Sequence, residues 1–218
     1  MVLINPFPIG QGLNTATVEP PLGLCYIAAV LEKHNYKCQI IDANVERLNN
    51  GDVINRIKGS PAIIGIYLNS FLFDVSRELS AAIRKKFVDS LILLGGPLAS
   101  TIPETLLQEF SCDGVIRGEG EYAVLGIINN ISAGKTAFDG SIIGAVYREK
   151  DGKIHYNPLK RITTLDELPF PALHLLPELK IYKSRSRKRP IAPIMTSRGC
   201  PYGCSFCSKD IFERKITT

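Results

Sequence analysis

Residues 62–68 read AIIGIYL and residues 90–97 read SLILLGGP, two apolar runs of which the second closes on paired glycines and a proline. A strand with one solvated face alternates apolar with polar residues. These runs do not alternate, so both of their faces are expected to be buried. Between them, residues 73–87 repeat apolar positions at helical spacing. Strand, helix, strand with fully apolar strands is the pattern of a parallel sheet covered on both sides by helices.

The pattern continues in both directions. Upstream, residues 2–4 form a short apolar run closed by Asn5-Pro6, residues 22–34 carry Leu24, Ile27, Ala28 and Leu31 at helical spacing, residues 37–42 (KCQIID) read as a strand, and residues 53–58 as part of a helix. Downstream, residues 103–110 predict a helix, residues 114–117 (GVIR) a short strand and residues 121–131 a last helix. The expected fold class is α/β, a Rossmann-like doubly wound parallel sheet over residues 1–135. Such sheets bind ligands at the carboxyl ends of their strands. The residues there are Asn5-Pro6-Phe7-Pro8, Asp42-Ala43-Asn44, Asn69-Ser70, Gly95-Gly96-Pro97 and Arg117-Gly118-Glu119-Gly120-Glu121. Taken singly, each is accounted for by the turn it makes; together they outline a crevice. A nicotinamide dinucleotide site is disfavoured, because Gly10 and Gly12 are followed by Thr15 where a third small residue is needed, and Gly118-Glu119-Gly120 sets an acid in its turn. No glycine-rich turn leads into Gly-Lys-Ser or Gly-Lys-Thr, which removes the Walker phosphate loop.

Residues 136–190 differ in kind. Residues 142–147 (IIGAVY) and 153–156 (KIHY) flank Asp151-Gly152, a hairpin signal. Residues 165–177 contain three prolines and predict an irregular crossing segment. Residues 183–189 (KSRSRKR) are basic, and a solvated linker is favoured there over a phosphate or nucleic-acid contact. Charge divides at the same place: residues 1–147 carry 11 Lys and Arg against 14 Asp and Glu, residues 148–218 carry 15 against 7. The 218 residues are 45% apolar and 22% charged, which excludes disorder, collagen, a coiled coil and a multi-span membrane protein. No stretch nears the roughly 20 apolar residues of a bilayer span. Proline interrupts the start before a signal sequence could form, so the cytoplasm is expected.

Three of the six cysteines, Cys25, Cys38 and Cys112, are scattered and read as small buried thiols; Cys200, Cys204 and Cys207 fall within eight residues. Residues 191–197 (IAPIMTS) predict one strand leading into them. Three thiolates on a tight loop with Gly199 and Gly203 suit an iron–sulfur cluster with one open iron. Zinc is the alternative, but a structural zinc site wants four ligands, and the nearest histidine, His174, lies 26 residues before Cys200.

Thr196-Ser197-Arg198-Gly199-Cys200-Pro201-Tyr202-Gly203-Cys204-Ser205-Phe206-Cys207 resembles the cysteine signature of radical S-adenosylmethionine (SAM) enzymes. Pro20-Pro21-Leu22-Gly23-Leu24, Gly95-Gly96-Pro97, Arg117-Gly118-Glu119-Gly120-Glu121 and residues 165–171 (LDELPFP) resemble the N-terminal domain and connector of the subclass with a B12-binding domain. The resemblance implies that Cys200, Cys204 and Cys207 ligate a [4Fe–4S] cluster, that SAM takes the fourth iron, and that its reductive cleavage yields a radical able to abstract hydrogen from an inert carbon. It places Tyr202 or Phe206 near the adenine. It places cobalamin on the carboxyl edge of the sheet, beside Asn5, Asn69, Ser70, Gly95, Gly96, Gly118, Glu119 and Gly120. The Asp-x-His-x-x-Gly motif of other cobalamin proteins is missing, so cobalamin would be bound without a histidine ligand, and some relatives keep the domain without using cobalamin. The implied partners are a small-molecule substrate and a reductant such as flavodoxin or ferredoxin; RNA modification is the weaker reading, because only Tyr182 among aromatic residues adjoins the basic run. Only 11 residues follow Cys207, whereas the catalytic partial barrel of βα units needs far more. The expectation is a Rossmann-like domain (1–135), a connector (136–190) and the first strand and cluster loop of a truncated (β/α) barrel (191–218), not catalytic alone. The alternative is a stand-alone corrinoid-binding or regulatory module with a metal-binding cysteine tail.

Overall fold

The chain is described by a computed structural model over residues 1–8, 17–183, 189–207 and 215–218. Gly10, Gly12, Thr15 and most of the basic run at 183–189 lie outside the described residues. Five parallel strands form the body of the sheet: β1 (Val2–Asn5), β2 (Gln39–Asp42), β3 (Ile63–Tyr67), β4 (Leu91–Gly95) and β5 (Gly114–Ile116). Their spatial order is β2-β1-β3-β4-β5. The order reverses direction between β1 and β3, and the carboxyl ends at that reversal are where this topology leaves a crevice.

Successive strand residues serve opposite faces. Val2, Ile4, Ile64, Ile66, Ile92 and Leu94 join one buried cluster, while Leu3, Ile63 and Leu93 belong to clusters on the other side. The first face is covered by α3 (Asn50–Arg56), α4 (Phe73–Lys86) and α6 (Pro103–Glu109), which contribute Val53, Leu79, Ile83 and Leu106. The second is covered by α1 (Leu22–Lys33) and α7 (Glu121–Ser132) through Leu24, Ala28, Leu31, Val124 and Ile127. Helices on both faces explain why residues 63–66 are apolar without alternation, as the doubly wound fold requires.

Two short helices were not anticipated, α2 (Ala43–Glu46) and α5 (Pro97–Thr101). Each is a single turn, too short for hydrophobic periodicity to register. The hairpin of β6 (Ala145–Arg148) and β7 (Ile154–Tyr156) forms where Asp151-Gly152 predicts it. It does not stand apart in a connector: β6 pairs antiparallel with β5, with Val115 opposite Val146, and the sheet grows to seven strands. Residues 157–183 then cross α1 in three single 3-10 turns, with Ala172 N–H donating to Cys25 O at 3.1 Å. The expected strand at 191–197 is absent. Pairing begins only at β8 (Arg198–Gly199), against β9 (Ile216–Thr217), because no described strand lies beside the preceding residues to accept their ladder bonds.

Candidate functional site at the carboxyl edge

Glycine turns hold the strand ends open. After β4, Gly96 sits at φ +110°, and a Cβ there would meet the Leu68 carbonyl oxygen at 2.7 Å, so only glycine fits. The turn is fixed by Leu68 N–H donating to Gly95 O at 2.7 Å and Leu98 N–H donating to Leu68 O at 3.2 Å. After β5, Gly118 N–H donates to Ser100 Oγ on α5 at 2.9 Å. After β3, Asn69 accepts from Phe71 N–H at 3.0 Å and thereby caps the 3-10 turn Ser70–Leu72.

These turns frame a cavity of about 830 Å³ at the β1/β3 reversal. Its floor is the sheet (Leu3, Gly65, Leu93, Ile116), one wall is the start of α1 (Pro21 to Leu24), and the rim carries Asn5, Asn69, Gly95, Gly96, Gly118, Glu119 and Gly120. Seven of the eight residues expected beside cobalamin are thus brought together; Ser70 is exposed outside the wall. Met195, Ser197, Arg198 and Gly199, the residues that lead into the first clustered cysteine, complete the rim.

Two buried polar contacts join these segments. Asp42, at the end of β2, is fully buried and accepts from Asn5 Nδ2 at 2.8 Å and from Tyr182 Oη–H at 2.7 Å. Burial raises the Asp42 pKa, against the lowering effect of these hydrogen bonds. Tyr182 is itself fully buried, and beside it Val18 and Lys183 exchange backbone hydrogen bonds at 2.7 and 2.9 Å. At the opposite side of the rim, Arg198 Nη1 reaches Glu119 Oε1 at 2.8 Å and Nη2 reaches Glu121 Oε1 at 2.6 Å, with these side chains at most 9% exposed. The Arg198 guanidinium also lies 5.1 Å from the Tyr26 ring centre. Burial alone would lower the Arg198 pKa; the two carboxylates outweigh it and hold it above the usual value. The cysteine signature by itself gives Arg198 no role. Opposite charges in two turn motifs, Ser-Arg-Gly and Gly-Glu-Gly-Glu, were the available signal.

Cys200, Cys204 and Cys207 are exposed on one loop that folds back through Cys207 N–H donating to Cys204 O at 3.3 Å. Among the described residues no three His, Cys, Asp or Glu side chains are preassembled to hold a metal ion. The donor set fits a thiophilic cluster, and drawing three sulfurs together is a local folding step of the kind metal binding drives. Tyr202 and Phe206 lie on the same loop, 72% and 91% exposed, and neither lines the cavity. Of the other cysteines, Cys25 is buried and Cys38 and Cys112 are half-buried against the core; burial pushes Cys25 and Cys112 up to about 12 and Cys38 to about 11, leaving them protonated at neutral pH. The cavity suits a large, mostly apolar ligand held by shape. Among the described residues no histidine lines it.

Residues 11–128 match the family described as B12 binding domain. The chain belongs to that family. Over 201 residues, 89% of its length, the chain is 36% identical to an uncharacterized methyltransferase of Pyrococcus horikoshii, spanning 42% of that protein. It is 29% identical over 98% of the chain to an anaerobic magnesium-protoporphyrin IX monomethyl ester cyclase of Rubrivivax gelatinosus, spanning 39% of that protein. Its fold superposes with a TM-score of 0.77 on the cobalamin-dependent SAM radical enzyme OxsB, solved with aqua-cobalamin and SAM bound, at 24% identity, covering 99% of this chain and 29% of that one. The chain thus spans less than half the length of these relatives, and no helix among its described residues is long and apolar enough to cross a membrane.

Proposed function

We propose that this chain forms the cobalamin-binding domain and cluster loop of a radical SAM enzyme that functionalises an unactivated carbon of a small molecule, by methyl transfer or oxidative rearrangement. One observation carries the reading: the cavity on the carboxyl edge is closed by the residues immediately before Cys200, which sets a cysteine loop beside a corrinoid-sized space. When bound, cobalamin supplies a methyl carrier, and the cluster with SAM supplies one-electron cleavage of a carbon–sulfur bond. The chain's own residues bind and exclude water. The apolar floor (Leu3, Leu93, Ile116) desolvates the ligand, and the glycine turns let backbone approach it closely. Cys200, Cys204 and Cys207 would hold the cluster, which a flavodoxin- or ferredoxin-type donor would reduce.

Anaerobic incubation with iron and sulfide, followed by metal analysis and electron paramagnetic resonance, tests the cluster. The chain should take up iron and sulfide in equal amounts and give a cluster signal on reduction, and the Cys200→Ala/Cys204→Ala/Cys207→Ala variant should take up neither. Zinc at one equivalent with no iron after anaerobic purification would instead identify a binding module with a metal-holding tail. 5′-Deoxyadenosine formation is expected from longer relatives and not from this chain alone.

A further inference from the structure

Arg198 is separated from Glu119 and Glu121 by 79 and 77 residues, yet its planar fork meets one oxygen of each. The pairing is nearly dry, and the Tyr26 ring of α1 lies against the guanidinium. Glu119 is itself held by Ile162 N–H, which donates to its second oxygen at 2.6 Å. Arg161 Nη2 donates to Thr217 Oγ1 at 2.7 Å and approaches the Arg198 carbonyl at 3.5 Å, tying the β8–β9 pair to the same spot. One residue on, Gly199 takes φ +101°, and the next is Cys200. The other end of the segment is fixed by Tyr182 on Asp42.

Resting on the reading above, we propose that Arg198 is a positioning residue. By forking between Glu119 and Glu121 it fixes the first cysteine of the loop against the cavity rim, so that the two candidate cofactor sites behave as one rigid site. Arginine is required over lysine, because a point-like ammonium cannot span two carboxylates on separate residues and face an aromatic ring with the same geometry. Glu119, Arg198 and Gly199 all line the cavity, so occupancy should be felt at the loop.

Hydrogen exchange of the cofactor-free 218-residue chain tests the clamp independently of any cofactor. In Arg198→Met the amides of residues 197–200 should exchange at least tenfold faster, with those of β1, β3 and β4 unchanged. Arg198→Lys should fall between, and the charge swap Glu121→Arg/Arg198→Glu should recover part of the protection. Unchanged exchange at 197–200, or an equal rise throughout the sheet, would overturn the proposal; the latter would mean that Arg198 serves general stability alone. Saturating hydroxocobalamin should further slow residues 197–200 in the parent chain and not in Arg198→Met. Equal slowing in both would also overturn it. Failure of the parent chain to bind hydroxocobalamin would contradict the cofactor reading, and the clamp would then be decided by the cofactor-free exchange.

Discussion

Asp42 shows how a single side chain ties distant parts of this molecule together. Its carboxylate is buried and accepts from Asn5 Nδ2, Tyr182 Oη–H and, at 3.4 Å, Val45 N–H. Because burial dominates, its folded pKa lies above the ordinary value of 3.8. The folded chain then binds the Asp42 proton more tightly than the unfolded chain. Its contribution to stability is fully present below pH 3.8 and is lost as pH rises through the raised folded value. Asp42→Asn removes this dependence. Urea unfolding across pH 4 to 7 should therefore show the variant gaining stability relative to the parent as pH rises. A constant difference would mean that Asp42 titrates normally.

At the scale of elements, the turn between β4 and α5 is the one that tolerates least. Gly96→Ala would place a methyl group against the Leu68 carbonyl at a φ of +110°, so we expect a loss of about 2–3 kcal/mol in urea unfolding, with the cavity rim disturbed. The long elements were legible in the sequence because burial leaves a periodic mark: α1, α4, α7 and all five parallel strands fall within a few residues of their expected places. Short ones were not. Gly95-Gly96-Pro97 read as a turn, although Pro97 opens α5 at the position where proline is tolerated and Ser100 of that helix then holds Gly118. The hairpin at 145–156 was visible from Asp151-Gly152, but its partner was not, since pairing of Gly114 with Tyr147 is a non-local choice that local residues do not encode. Residues 191–197 had the composition of a strand, but among the described residues no strand lies beside them to pair with.

For the whole molecule, the site is an assembly of segments far apart in the chain. The rim positions were readable because a doubly wound sheet always presents the residues after its strands, and Asn5, Asn69, Gly95, Gly96, Gly118, Glu119 and Gly120 follow from that rule alone. Of the buried ties that close the site, Tyr182 on Asp42 across 140 residues leaves no local sign in the sequence, and Arg198 on Glu119 and Glu121 leaves only opposite charges in two distant turn motifs, which do not by themselves pair one with the other. The account therefore rests on the cavity being a ligand site. Gly23, at the start of α1, lines it with open space where a Cβ would stand, so the ring of Gly23→Phe should obstruct the cavity beside α1 while the helix gains from losing a glycine. The decisive measurement is an anaerobic absorbance titration of both chains with hydroxocobalamin, followed by desalting. The parent chain should retain one equivalent and Gly23→Phe, folded by circular dichroism, should retain none; equal retention by the two, or none by the parent, would contradict the account.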